Sequence, residues 1–197
     1  MAWTAGLKGT TNNDWTWDFS NTIGQNRFHF YGDKTFNASL GPDQTHFDDG
    51  GFSFLQNTVN ANFSKAINRS FNLALGAEYR YENYKIFAGE EASYKNYDPT
   101  KFYTNSDGDD VYVAAGAQGF PGYQPADEVN ANRSVFGAYI DGEYDMTAKW
   151  LANLAFRYEH YSDFGSTGNV KFPTRYPVSP KFNMRGSVSK RLKATPL

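Results

Sequence analysis

Nine ionisable side chains recur at alternate positions of a few short segments: Glu78, Arg80 and Glu82; Asp141 and Glu143; Arg157 and Glu159; and Arg175 and Arg185. Paired carboxylates are the raw material of general acid–base catalysis. The same residues also suit a ladder of cross-strand ion pairs along a wet surface. The ladder is the better reading, because opposite signs recur on several segments and no nucleophile, base and orienting group stand together. The chain is therefore not expected to be an enzyme. His29, His46 and His160 are scattered and lack metal-ligand spacing. There is no cysteine, which rules out a disulfide framework and a thiolate metal site.

One segment, "NSDGDD" at 105–110, sets Asn105, Asp107, Asp109 and Asp110 close together, as at the start of a calcium loop. The pattern then fails. Its sixth position is Asp110 where a glycine makes the sharp turn, and its twelfth is Gly116 where a bidentate glutamate belongs. A solvated turn is the expectation, with no metal and no cofactor. The surrounding stretch, "YDPTKFYTNSDGDDVYVAAGAQGFPGYQP" (97–125), is rich in Tyr, Asp and Gly. Long loops of this make-up tend to hold function. Tyr103, Asp107, Asp109, Asp110, Tyr112, Phe120 and Tyr123 are its candidate ligand contacts; a mobile loop with no defined ligand is the alternative.

These side chains must be positioned by strands. From 71 to 82 the odd positions read Phe71, Leu73, Leu75, Ala77, Tyr79 and Tyr81, and the even ones include Gly76, Glu78, Arg80 and Glu82. From 133 to 146 an apolar set (Phe136, Ala138, Ile140, Tyr144, Met146) opposes Arg133, Asp141, Glu143 and Asp145. From 150 to 161 Trp150, Ala152, Leu154, Phe156 and Tyr158 oppose Asn153, Arg157 and Glu159. Period-two alternation of this kind marks strands. It recurs at 14–24 and 55–64, and more weakly at 168–176 and 182–189; 2–9 reads as one further strand. No amphipathic helix of useful length appears, and "ADEVNANRSV" is the nearest approach.

The connections alternate in length. Short turns are expected at 10–13, 67–70, 145–149 and 178–181, and long connections at 25–50 and 87–131, with a shorter one at 162–167. Short turns at one end and long loops at the other mark an outer-membrane barrel. Trp15, Trp17, Phe71, Trp150 and Phe182 fall beside the short turns, and Tyr79, Tyr81, Tyr158 and Tyr161 near the long-loop ends, the places of two aromatic girdles. A soluble sandwich or lipocalin-like barrel, with the aromatics in a core, is the competing reading.

Bulk composition agrees with strands. Aromatics make up 18% of 197 residues, with 14 Tyr and 17 Phe. The net charge of -2 gives no basic field for nucleic acid, so that partner is not expected. No stretch approaches the roughly 18 apolar residues of a membrane helix, and "MAWTAGLKGT" has neither the basic start nor the apolar run of a signal peptide. Four Asn-x-Ser sequons, at Asn37, Asn62, Asn68 and Asn132, look incidental, since Asn62 falls within an expected strand.

The stretch "GAQGFPGYQPADEVNANRSVFGAYIDGEYDMTAKWLANLAFRYEHYSDFGSTGNVKF" resembles the barrel region of TonB-dependent outer-membrane receptors. The features that carry it are the Gly119-Phe120-Pro121-Gly122 turn, the Asn132-Arg133 strand start, the acidic strand end with its tight turn, and the run from Arg157 to Gly165. "FNLALGAEYRYENYKI" (71–86) and "NASLGP" (37–42) add to it. The resemblance covers roughly residues 10–190.

It implies an all-β fold: an antiparallel meander of about eight transmembrane-type strands, part of an outer-membrane β-barrel, spanning 1–197 as one barrel segment. Glu78, Arg80, Glu82, Asp141, Glu143, Arg157 and Glu159 would line the lumen. The implied function is import of a scarce ligand such as an iron chelate, a cobamide or a glycan. The implied partners are outer-membrane lipid, the remainder of the barrel and plug, and the TonB energy-coupling system through that plug. The implied location is the bacterial outer membrane.

The family's plug domain and energy-coupling peptide are not found in these residues, and "KRLKATPL" stands where a Gly-Phe-Arg-Ala-Pro stretch usually follows. The chain thus reads as a fragment or a truncated product. Pro173 and Pro177 would weaken the strand at 168–176, since proline removes a ladder donor. A small closed eight-stranded barrel with a structural or adhesive role is the alternative, with 2–9 pairing to 182–189.

Overall fold

Alternating apolar and polar residues favour extended backbone, and extended segments joined by short turns pair antiparallel. A computed structural model describes residues 1–179 and 181–190. Its strands are β1 (Ala2–Thr10), β2 (Thr16–Asp33), β3 (His46–Asn68), β4 (Phe71–Phe87), β5 (Phe102–Thr104), β6 (Asp110–Tyr112), β7 (Val129–Asp145), β8 (Leu151–Tyr161), β9 (Gly165–Ser179) and β10 (Phe182–Lys190). Eight of them form one sheet in the order β1-β2-β3-β4-β7-β8-β9-β10, and β5 pairs with β6 in a separate hairpin. The sheet is an antiparallel meander, the expected fold class, and β1 and β10 are the two ends of its order. Among the described residues the helical elements are one four-residue turn, α1 (Glu91–Tyr94), and a 3-10 turn at Pro125–Asp127; the turn takes in only the first two residues of "ADEVNANRSV", which from Val129 on is strand β7.

In a meander, successive connections fall alternately on two margins of the sheet. The connections at 11–15, 69–70 and 146–150 share one margin with the β9–β10 turn; residue 180 of the turn expected at 178–181 lies outside the described residues, as do residues 191–197 of "KRLKATPL". The connections at 34–45, 88–128 and 162–164 lie on the other.

The strands are longer than the expected 14–24 and 55–64. β2 has 18 residues and β3 has 23, whereas a tilted membrane strand needs about 9–11. Alternation had faded from the pattern for a local reason. Near one end of β3, His29 Nε2 lies 2.7 Å from Asp48 Oδ1 and His46 Nδ1 lies 2.7 Å from Asp33 Oδ1, so even positions meet odd positions of β2. Toward the other end Phe63 meets Phe19, odd against odd, with ring centroids 5.6 Å apart. An odd offset reconciles the two. Gly50, with φ 77°, has the left-handed conformation of a glycine bulge, which inserts one residue and reverses the faces.

β9 is also longer than expected, and the prolines do not end it. Pro177 pairs with Asn183 where the β9–β10 register shifts. Pro173 sits at a break in the β8 ladder: Leu151↔Arg175 and Ala152↔Thr174 pair, and pairing resumes at Ala155↔Lys171. Prolines are tolerated at such irregularities because no ladder donor is required there.

The chain divides into two compact units. The first comprises Met1–Gly24, Gln56–Glu82 and Asn132–Leu197. One face of β7 and β8 in it is apolar and exposed: Phe136, Ile140, Leu154 and Phe156 are each more than 40% accessible, while Leu73 and Leu75 of β4 are half-buried. The second comprises Gln25–Leu55 and Asn83–Ala131 and has a small core of its own. Phe47, Asn37 and Ser93 are fully buried there and Ala117 nearly so. Asn37 Nδ2 donates to the carbonyls of Ala92 (2.9 Å) and Lys95 (2.8 Å), and its Oδ1 accepts from the Ser39 hydroxyl (2.7 Å). A buried asparagine satisfied in this way fixes loop geometry rather than leaving a mobile segment.

Candidate functional site

In the first unit the charged face of β4, β7 and β8 carries a connected ionic ladder. Arg80 Nε lies 2.9 Å from Glu82 Oε1, and its Nη1 lies 3.5 Å from Glu78 Oε1. Arg157 Nε donates to Glu159 Oε1 at 2.9 Å, and its Nη2 reaches Glu78 Oε1 at 3.3 Å. Arg157 stands on β8 and Glu78 on β4, with β7 between them in the sheet. The crossing is possible because β7 has Gly137 there; a Cβ at Gly137 would fall 3.1 Å from the Arg157 guanidinium.

Arg133 completes the ladder. Its Nε and Nη2 both bond Asp163 Oδ2, at 2.8 and 2.5 Å, and its Nη1 lies 4.0 Å from Glu82. The guanidinium also lies 5.6 Å from the Phe164 ring and 5.9 Å from that of Tyr161. Tyr161 donates to Glu159 Oε2 at 3.1 Å. Planar arginine suits a site where carboxylates and ring faces both converge.

Asp141 and Glu143 lie lower on the same face, in a groove of about 520 Å³ that also exposes Lys171, Arg175 and Arg185. Asp141 accepts from Asn153 Nδ2 at 2.5 Å. Arg175 and Arg185 are directly paired across β9 and β10, an arrangement that like charges tolerate only in a well-solvated setting.

The second unit holds the loop candidates. Tyr103, Asp110 and Tyr112 stand on the β5–β6 hairpin, with both tyrosine rings more than half exposed. Asp107 and Asp109 close its turn: their backbone N–H groups donate to Asn105 Oδ1, each at 2.9 Å. Asp110 accepts from the Thr104 hydroxyl at 2.9 Å. Asn105 Oδ1 and Asp110 Oδ1 are thus engaged within the hairpin, and among the described residues no group of three or more His, Asp or Glu is disposed to hold a metal. Phe120 and Tyr123 are separate from the hairpin. Phe120 packs on Phe30 at 5.4 Å and on Tyr123 at 6.1 Å. The structure therefore divides the seven candidates into an exposed hairpin and an aromatic cluster.

Residues 2–196 match the family model described as TonB dependent receptor-like, beta-barrel. The chain belongs to this family. A search of curated proteins finds no match. Receptors of this family are outer-membrane transporters, not enzymes, and the all-strand meander is the receptor barrel's architecture.

Several residues of this receptor barrel's ladder were outside the set expected to line the lumen: Arg133, expected only as part of the charged face of 133–146, Tyr161, expected as a girdle residue, and Asp163, together with Tyr139, whose hydroxyl bonds Asn62. Arg133 shares the parity of Asp141 and Glu143, so the signal was present. Asp163 lies past the end of its strand, where alternation carries no information.

Proposed function

We propose that this chain is wall and outer loop of an outer-membrane import receptor, with its apolar face on lipid and its ionic ladder in the lumen. The observation that supports the reading most directly is the contrast between faces. Phe136, Ile140, Leu154 and Phe156 are exposed on one side of β7 and β8, and Arg157, Glu159, Asp141 and Arg133 are gathered on the other. A soluble protein would bury the first set; lipid accepts it. The lumen side would hold Glu78, Arg80, Glu82, Asp141, Glu143, Arg157 and Glu159. Tyr103, Asp107, Asp109, Asp110, Tyr112, Phe120 and Tyr123 would meet the ligand, in the class of iron chelates, cobamides or glycans. Remaining barrel strands, a plug, and the TonB system acting through that plug would complete the machine.

The chain has no cysteine, so single Leu154→Cys and Glu143→Cys variants of the receptor in cells can be probed with a membrane-impermeant maleimide. Glu143→Cys should label and Leu154→Cys should not. The reverse pattern would refute the assignment of faces. Loss of uptake of one ligand class on deletion of the gene, restored by the wild-type copy, would identify the cargo.

A further inference from the structure

Asp49 is 2% exposed, and its Oδ1 has no hydrogen-bond partner. It lies in β3 before the Gly50 bulge, outside the roughly ten-residue stretch from Leu55 on that would span a membrane. Three glycines make room for it. A Cβ on Gly32 would sit 3.2 Å from Asp49 Oδ2, one on Gly89 2.6 Å from its carbonyl carbon, and one on Gly122 3.1 Å from its Cα.

Gly89 and Gly122 belong to the long connection after β4, which is tied down around Asp49 by main-chain bonds. Tyr123 N–H donates to Asp49 O at 3.0 Å, Gly89 N–H to Tyr123 O at 3.0 Å, and Glu90 N–H to Asp48 O at 2.8 Å. The charged groups acting on Asp49 are Asp48 and His46 on its own strand and Glu90 on the connection. Asp48 is engaged by His29 and His46 by Asp33. Burial, then Asp48 and Glu90, push the Asp49 carboxyl up to about 6, with His46 opposing. Ionised, it is a carboxylate with an unfilled oxygen in a dry site beside two others, the arrangement that disfavours charge most.

We propose that segment 88–124 is a proton-operated lid on β2 and β3, closed while Asp49 carries a proton and released when Asp49 ionises. The sign follows from linkage. A carboxyl whose pKa is raised in the closed state weakens closure as pH climbs from its unfolded value near 3.9, and the full penalty is reached above about 6. The His46–Asp33 pair also strengthens on acidification, but it and the His29–Asp48 contact join β2 to β3 and do not hold the lid. The lid is a property of this unit and stands whether or not the cargo proposed above is correct.

Hydrogen exchange of the full chain in detergent micelles, followed by mass spectrometry on peptides within 88–124 and corrected for intrinsic rates, reads the lid directly. Protection should fall about tenfold between pH 5 and pH 7.5, the rest of a roughly hundredfold effect lying below pH 5. Asp49→Asn, which keeps the shape and removes the charge, should abolish the fall and hold protection high at pH 7.5. A flat wild-type profile, or the same fall in Asp49→Asn, overturns the proposal. Should Asp49→Asn lose protection in β2 and β3 as well, the wild-type carboxyl titration by carbon-13 NMR decides. A midpoint near 6 coinciding with lid release supports the lid, and one below about 4.5 overturns it.

Discussion

The Tyr139 hydroxyl donates to Asn62 Oδ1 at 2.9 Å although Tyr139 is on β7 and Asn62 on β3, with β4 between them. The ring passes over Gly76. A Cβ there would fall 2.5 Å from Tyr139 Cε1, 2.6 Å from Asn62 Oδ1 and 2.8 Å from the Ala61 carbonyl oxygen. Gly137 does the same for Arg157 one strand further on. Side chains on this face are therefore stitched across three strands through glycine gaps. Gly76→Ala should destabilise the sheet by about 1–3 kcal/mol, because backbone as well as side chain must yield. Urea unfolding in micelles checks this, and Tyr139→Phe should lose only about 1 kcal/mol.

Arg133 is the most buried charge of the ladder, with its side chain 7% exposed. Arg133→Ala should cost about 3–5 kcal/mol, since it takes from Asp163 the cation paired with it and from Glu82 the one that stands beside Arg80. Arg133→Lys should recover only part of this, because an ammonium cannot hold Asp163 and lie against two rings together. Unfolding midpoints of the two variants give the comparison.

Leu154 is 57% exposed on the apolar face and Asn153 stands on the charged one beside Asp141. In a lipid bilayer, Leu154→Arg near the midplane should cost about 2–4 kcal/mol and Asn153→Arg far less. Equal losses at the two positions would mean that both faces meet the same medium.

Gly50 has φ 77°, and a Cβ there would fall 2.4 Å from the Phe87 carbonyl oxygen and 2.6 Å from Gly89 N. Gly50→Ala therefore combines left-handed strain of about 1–2 kcal/mol with a backbone clash. Exchange protection around 46–51 and 87–90 should drop, and that around 151–161 should not.

His46 Nδ1–H donates to Asp33 Oδ1 at 2.7 Å, and that bond holds its pKa above the ordinary histidine value. A raised histidine pKa means that the contribution is complete below the unfolded value near 6.5 and is lost as pH rises through the folded one. Imidazole titration by NMR should show a midpoint above 6.5, and Asp33→Asn should return it toward 6.5.

The meander was legible in the spacing of the residues. Where one face of a strand is apolar, period two fixes which residues share it, so Leu154 against Asn153, and Ile140 against Asp141, were legible from spacing alone. The short turns and the family were legible too, because turn chemistry and the run from Arg157 to Gly165 are local. What depends on contacts between residues far apart in the chain was not legible there. The Gly50 bulge reversed the faces of β3, and aromatic residues on both sides of β2, Phe28 and Phe30 against His29 and Tyr31, erased alternation where the strand continued. Arg133 and Asp163 are 30 residues apart, and Tyr139 and Asn62 are 77 apart. Which charges pair, and which carboxyl is sealed under a loop, follows from register and from glycine gaps on the strand between, and neither is encoded in the residues that meet.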